Sequence, residues 1–326
     1  MLYEFGMKNF FCFKEGVTIS FKLDKNCPVT ISKGNNYIHT LCIKGTNASG
    51  KTHILKGLAF LGWFCTSSFS QKPDDKIGVL PFFSSKKPIE LFACFSVGAV
   101  TYTYELSVSK DEIRKETLYR TTDRRRKILD RKGNELLVLS SDLERLRSMN
   151  LRKNASIISM AHQYEFNELE EIYQFFNRII SNVGYGGLSE KVSDLSKVSK
   201  LIATDTDLKE FVNIFIANCD TGVSEVEIRK RISEDGNEEF YPVFIHESDG
   251  KKHAVTRVTE SSGTKTLFRE LPRYKFILNT GGILVLDEFD RHLHPHILPF
   301  LLELFENPEF NIHNAQFIFL LMMQKF

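Results

Sequence analysis

Alternating apolar and polar residues in the amino-terminal part of the chain predict β-strands joined by turns. Residues 2–22 alternate around a short turn and predict two antiparallel strands. A hairpin is predicted at Glu90–Ser96 and Thr101–Val108, and further short strands at Lys115–Arg120 and Arg126–Asp130. This part of the chain therefore predicts an antiparallel sheet.

The pattern changes in the middle of the chain, where apolar residues recur three and four positions apart. This spacing predicts helices at Leu143–Met149, Glu165–Val183 and Asp207–Ala217. Strand patterns return at Val223–Ile232 and Glu239–His246, and an Asp-Gly-Asn turn between them predicts a hairpin. A mostly helical block thus interrupts an α/β framework.

A complete G-x-x-x-x-G-K-[ST] pattern lies between a predicted strand, Tyr37–Ile43, and a predicted helix, His53–Trp63. Glycines let such a loop curl so that backbone N–H groups face a phosphate, and the helix amino end adds its positive dipole. Lys51 is expected to reach the β- and γ-phosphates, and the Thr52 hydroxyl to hold Mg²⁺. The predicted nucleotide-binding residues are Gly45, Thr46, Asn47, Ala48, Ser49, Gly50, Lys51 and Thr52.

A second candidate site is the segment Gly-Gly-Ile-Leu-Val-Leu-Asp-Glu-Phe-Asp at residues 281–290. Its apolar run predicts a buried strand that delivers two acids at its carboxyl end. Asp287 suits Mg²⁺ coordination, and Glu288 suits orienting the attacking water, because phosphoryl transfer depends on positioning more than on covalent chemistry. Lys51 and Glu288 are therefore the predicted catalytic residues. Two solvated acids at a strand end are the alternative interpretation.

Small residues open a predicted helix upstream of the acidic strand, and alone they would indicate only a helix N-cap. In this position they resemble the signature motif of ABC-type ATPases, whose core is Ser-Gly-Gly-Gln. Ser262 replaces the first Gly of that core and Thr264 replaces the Gln. The predicted signature residues are Ser261, Ser262, Gly263 and Thr264.

The segment Asp290-Arg-His-Leu-His-Pro follows the acids. It resembles the loop that contacts the partner subunit in these ATPases, with Asp290 and His294 as the dimer-loop residues. His294 stands where many relatives carry Asp. A metal cluster at His292, His294 and His296 is the alternative interpretation.

Together these motifs and the amino-terminal strands resemble ABC-type P-loop ATPases of the SMC and RecF kind, and most of all OLD-family and abortive-infection ATPases. The resemblance implies an α/β fold: a P-loop NTPase head of ABC type with a mixed β-sheet, amino-terminal antiparallel strands and a helical insertion. It implies one composite domain made of an amino-terminal lobe (1–135), a helical insertion (136–222) and a carboxyl-terminal lobe (223–326).

The same resemblance implies ATP and Mg²⁺ as cofactors and a homodimer that forms on ATP binding. Ser261 and Gly263 of one subunit would close over the γ-phosphate held by Lys51 of the other. The implied function is control of a separate effector protein, a nuclease or toxin, in bacterial anti-phage defence. A RecF- or SMC-like DNA repair ATPase and a non-hydrolysing nucleotide-binding module are the alternatives.

Charge and composition exclude few of these functions. A net charge of +2 gives no basic field for nucleic acid, so nucleic-acid binding is unsupported. The amino terminus lacks a signal peptide, no apolar stretch suits a membrane span, and the six cysteines form no CxxC pair, which together predict a cytoplasmic protein. Cys12, Cys42 and Cys94 lie in apolar runs and are predicted to be buried.

Members of the resembled family carry a Gln that senses Mg²⁺. Gln71 is the candidate for this residue.

The carboxyl-terminal run Asn314–Phe319 predicts a buried strand. In the resembled family this strand leads into Thr-Thr-His-Asp, whose His contacts the γ-phosphate, but here it leads into Leu-Leu-Met-Met-Gln-Lys-Phe. The codons of Met322 and Met323, shifted by one base, contain an Asp codon. We therefore expect a single-base deletion near codon 319, a truncated end and weakened hydrolysis. A genuine short variant is the alternative.

Overall fold

The computed structural model describes residues 1–32, 34–184, 187–188, 194–219, 221–233, 235–290, 293 and 295–321. The strands are, in chain order, β1 (Leu2–Lys8), β2 (Val17–Ser20), β3 (Thr40–Ile43), β4 (Ile89–Val97), β5 (Val100–Val108), β6 (Ile113–Thr121), β7 (Arg125–Lys132), β8 (Glu135–Leu139), β9 (Ile179–Ser181), β10 (Val183–Gly184), β11 (Gly187–Leu188), β12 (Val223–Ile232), β13 (Glu238–Ser248), β14 (Lys251–Thr256), β15 (Ile283–Leu286) and β16 (Gln316–Leu320).

The α-helices are α1 (Val29–Ser32), α2 (Lys51–Ser67), α3 (Ile157–Gln163), α4 (Glu170–Asn177), α5 (Leu195–Thr204), α6 (Thr206–Asn218), α7 (Ser262–Thr280) and α8 (Leu298–Glu306). Short 3-10 helices lie at Ser68–Ser70, Phe82–Ser84, Ser141–Ser148, Asn167–Leu169 and Pro295–Ile297.

The chain divides into two compact units. The first contains Met1–Ser189, Gly281–Asp287 and Asn314–Phe326, and the second contains Glu190–Thr280 and Glu288–His313. The segment 136–222 is thus shared between the units. The predicted domain boundaries stay a prediction, because compact units need not coincide with the domains of a family.

The first unit contains a large antiparallel sheet and a smaller parallel one. The large sheet has the strand order β2-β1-β4-β5-β6-β7-β8, and its alternating side chains place one face in the core. The parallel sheet has the order β3-β16-β15-β9. All residues of β15 and β16 are buried, as their continuous apolar runs predict for parallel strands. Helix α2 contacts strands of both sheets.

A buried ion pair ties the large sheet of the first unit to helix α3. Arg131 and Glu116 have side chains that are 0% and 1% exposed, and Arg131 Nη1 donates to Glu116 Oε2 at 3.2 Å. The carboxylate also accepts hydrogen bonds from the Tyr104 and Ser156 hydroxyls and from the backbone N–H of Ile157, the first residue of α3. Its charge is therefore compensated, as burial requires.

The second unit is built on the antiparallel sheet β12-β13-β14. Helix α5 packs on β13, and α6 packs on β12 and α7. Asp194 and Asp205 begin α5 and α6, since their carboxylates accept N–H bonds from Ser196 and Leu208 in the first turns. The predicted hairpin at Val223–Ile232 and Glu239–His246 is confirmed by β12 and β13.

The predicted fold class is confirmed: the structure is α/β with antiparallel amino-terminal strands. Three local predictions are wrong. The chain at Ser141–Ser148 forms a 3-10 helix, and within 165–183 only Glu170–Asn177 is α-helical before the chain enters the parallel strand β9. The predicted burial of cysteines fails as well, because Cys12 and Cys42 are exposed and Cys94 is half-buried. Among the described residues, we find no helix with the length and apolar character of a membrane span.

Candidate functional site

The predicted phosphate-binding loop joins strand β3 to helix α2 in the first unit. Ala48 and Gly50 have φ values of +63° and +91°, so the backbone turns through the left-handed region twice before the helix begins. Glycine is required at position 50, because a Cβ there would lie 2.4 Å from the Cys12 sulfur. Gly50 is the N-cap of α2 and offers no side-chain acceptor to the first-turn N–H groups, which suits an anion.

Lys51, the first residue of α2, folds back over this loop. Its ammonium donates to the Gly45 carbonyl at 2.7 Å and to the Thr46 carbonyl at 2.8 Å. These two bonds hold the Lys51 ammonium beside the carbonyl groups of the loop.

The two predicted Mg²⁺ ligands lie in direct contact. The Thr52 hydroxyl donates to Asp287 Oδ2 at 2.7 Å, although the residues are 235 positions apart. β3 and β15 both run parallel to β16, which lies between them, so their carboxyl ends meet at one edge of the sheet. A hydroxyl and a carboxylate are hard oxygen donors, which fit Mg²⁺.

Asn182 is a further residue of this site, and the sequence analysis missed it. It follows β9, the neighbour of β15, and its side-chain amide pairs with both main-chain groups of Asp287. Oδ1 accepts the Asp287 N–H at 2.8 Å, and Nδ2 donates to the Asp287 carbonyl at 3.0 Å. The pattern at 165–183 predicts one helix, and a helix there gives Asn182 no position at the end of a strand. The signal that could have found it is an apolar Ile-Ile pair followed by a small polar residue.

Two basic side chains on α2 shape the electrostatics beside Thr52. Burial lowers the pKa of Lys56, and the Asp287 carboxylate opposes that decrease. Burial also lowers the pKa of His53, with Lys56 contributing. His53 Nδ1 lies 3.2 Å from the Cys12 sulfur, and its ring stacks on Phe11. The residues after β1 therefore border the phosphate loop.

Glu288 begins the part of the second unit that follows β15. Its φ is +50°, which is uncommon for a residue with a Cβ and marks a sharp turn after Asp287. Such strained positions cluster at functional sites. Asp290 is half-buried, and its carbonyl accepts the Leu293 N–H at 3.3 Å. His292 and His294 lie outside the described residues, so the dimer-loop role of His294 and the alternative metal cluster are not described.

The predicted signature segment also belongs to the second unit, at the start of α7. Ser261 is the N-cap of this helix, because its hydroxyl accepts the Thr264 N–H at 3.0 Å. Ser262 and Gly263 form the first helical residues. The segment thus has the local geometry of a helix amino end, and its role in binding nucleotide stays a prediction.

Gln71, the candidate Mg²⁺ sensor, lies in the first unit just after the 3-10 helix Ser68–Ser70. Its backbone carbonyl accepts a hydrogen bond from the Arg152 guanidinium. Its side chain borders a cavity of about 580 Å³ that Trp63 and Lys56 also line. The structure gives it no contact that supports the predicted role.

Comparison with known proteins decides the family. A family model described as "AAA domain, putative AbiEii toxin, Type IV TA system" matches residues 41–319. The chain belongs to this family. Family membership agrees with the resemblance to abortive-infection ATPases and makes the chain an ATP-binding protein of the P-loop ATPase class.

Two solved structures are also similar to this chain. The recombination mediator protein RecF with ATPrS is 14% identical, covers 100% of this chain and 93% of its own, and has a TM-score of 0.37. RecF with ATP is 15% identical, covers 99% and 92%, and has a TM-score of 0.36. A search of curated proteins gives no match. At these TM-scores the RecF structures carry no part of the argument.

Proposed function

We propose that this chain hydrolyses ATP, dimerises when ATP binds, and controls a separate effector protein in bacterial anti-phage defence. The observation that supports hydrolysis most directly is the 2.7 Å contact between the Thr52 hydroxyl and Asp287 at the end of the phosphate loop. It joins the two predicted Mg²⁺ ligands, which come from distant parts of the sequence.

Each predicted catalytic or Mg²⁺-binding residue has a defined task in this proposal. Lys51 leaves the Gly45 and Thr46 carbonyls and donates to phosphate oxygens, and the first-turn N–H groups of α2 donate to further phosphate oxygens. Thr52 and Asp287 would hold Mg²⁺, which neutralises charge on the phosphates when bound. Their oxygen chemistry and proximity fit that ion. Glu288 orients the attacking water.

Dimerisation is proposed from the signature segment. Ser261–Thr264 caps a long helix, and helix amino ends favour anions, so this segment suits a phosphate held by a second copy. Control of an effector is proposed from the resemblance to abortive-infection ATPases. The family description, which reads "putative AbiEii toxin, Type IV TA system", supports a role in such a system. The effector would be a nuclease or toxin on a separate chain.

The test is substitution of Glu288. Glu288→Gln keeps the size of the side chain but removes the carboxylate that orients water, so we expect it to bind ATP, hydrolyse it slowly and accumulate as a dimer. Light scattering after gel filtration, with and without ATP, measures the mass. Glu303→Gln on α8 is the matched control, because it removes an exposed carboxylate from the same unit. A Glu288→Gln chain that binds ATP and stays monomeric would contradict dimerisation.

A further inference from the structure

Glu260 precedes the predicted signature segment and has a buried carboxylate with partners on both oxygens. Its side chain is 4% exposed. Oε1 accepts the backbone N–H of Ser261 at 2.6 Å, and Oε2 lies 2.7 Å from Nε2 of His246. A buried carboxylate is costly unless it is paired, and these two contacts compensate it.

These contacts connect the sheet of the second unit to the start of α7. His246 lies on β13, where it is paired with Val223 of β12 and His253 of β14. Gly222 lies against this imidazole, because a Cβ there would be 3.4 Å from His246 Nδ1. The ring is therefore held by the middle strand of the sheet, and it holds the Glu260 carboxylate in turn.

Ser261 connects Glu260 to the first turn of α7. Its N–H is fixed by Glu260, its hydroxyl accepts the Thr264 N–H at 3.0 Å and lies 2.8 Å from Thr264 Oγ1, and its carbonyl accepts the Lys265 N–H at 3.2 Å. All polar groups of Ser261 are engaged at this turn. Glu260 thus holds the backbone from which the Ser261 side chain extends, and Thr264 holds the hydroxyl.

We infer that Glu260 and His246 are positioning residues that set the orientation of the signature segment toward a phosphate. Neither residue touches nucleotide in this account, and both act through Ser261. The inference rests on the proposed function, in which Ser261 and Gly263 contact the γ-phosphate held by the other subunit. Functional groups must be held within about 0.5 Å of the productive geometry, and supporting contacts such as these provide that accuracy.

The experiment compares Glu260→Ala with Glu260→Gln. Alanine removes both contacts, whereas the glutamine amide oxygen still accepts the Ser261 N–H and its NH₂ group can donate to His246. Glu270→Ala is the matched control, because Glu270 lies within α7, away from the signature segment at its start, and its carboxylate pairs with Arg273 at 2.6 Å. Hydrogen exchange of the peptide covering Ser261–Thr264 is measured without nucleotide, and ATP binding and turnover are measured separately.

We expect Glu260→Ala to speed exchange in this peptide and to lower turnover by up to about 100-fold, because a misplacement of about 1 Å can cost that much. ATP affinity should stay within about two-fold, because the phosphate loop belongs to the first unit, and Glu260→Gln should restore most of the turnover. A merely structural role would lower affinity and turnover together and would also appear in the thermal melting temperature.

Unchanged exchange and turnover in Glu260→Ala would overturn the inference, and so would equal defects in the alanine and glutamine variants. A wild-type chain that neither dimerises nor turns over ATP would instead contradict the proposed function. The exchange comparison would then still decide whether Glu260 positions Ser261, because it is made without nucleotide.

Discussion

Asn182 offers a sharp test of how Asp287 is held. Its amide makes hydrogen bonds of 2.8 and 3.0 Å to the N–H and carbonyl of Asp287, a residue that is only 9% exposed. Each such bond contributes about 0.5–1.5 kcal/mol, so Asn182→Ala should cost about 1–3 kcal/mol. Because Asp287 would no longer be fixed against Thr52, we expect ATP turnover to fall by about 10- to 100-fold.

The assay is a Mg²⁺ titration of ATP turnover at saturating ATP. Asn182→Ala should need more Mg²⁺ than the wild type for half-maximal rate. Asn177→Ala is the matched control, because Asn177 ends helix α4 in the same unit and its amide contacts Gln174 at 3.5 Å. Wild-type turnover and Mg²⁺ dependence in a folded Asn182→Ala variant would show that Asn182 does not hold Asp287 in place.

Two further substitutions test the framework around the site. Glu116→Ala leaves the Arg131 charge buried without its carboxylate and should destabilise the chain by about 3–5 kcal/mol, measured by urea unfolding; an unchanged midpoint would contradict this. Gly50→Ala forces a side chain to φ +91° and against Cys12, so it should cost at least about 1–2 kcal/mol and weaken ATP binding. ATP binding is measured by nucleotide titration, and wild-type affinity in Gly50→Ala would contradict the requirement for glycine at this position.

The strongest sequence patterns predicted where the loop between β3 and α2 and the strand β15 lie. The glycine pattern and its flanking apolar run locate the phosphate loop, and a continuous apolar run ending in acids locates β15. Parallel strands bring their carboxyl ends to one edge of a sheet, so the approach of Asp287 to Thr52 follows from topology. The sequence does not predict the direct hydrogen bond of 2.7 Å between the two side chains, which only the structure shows.

Other parts of the site could not be predicted from the sequence. β9 is only three residues long, and Ile179 and Ile180 fit a helical pattern as well as a strand. The sequence therefore does not predict that Asn182 follows a strand. The contact between Glu260 and His246 depends on the strand register of β13 and on the turn before α7, neither of which periodicity determines. Burial also depends on position: β3 is an edge strand, where Cys42 is exposed, and Cys12 lies in a turn after β1.

The most direct test of the account is ATP binding by the wild-type chain and by Lys51→Ala. Calorimetric titration with ATP and Mg²⁺ should show saturable binding to the wild type and a loss of about 10- to 100-fold or more in Lys51→Ala, because charge-assisted bonds to phosphate disappear. Lys44→Ala, which removes an exposed charge just before the loop, should bind normally. Equal ATP affinity in Lys51→Ala and the wild type would contradict a nucleotide site at this loop.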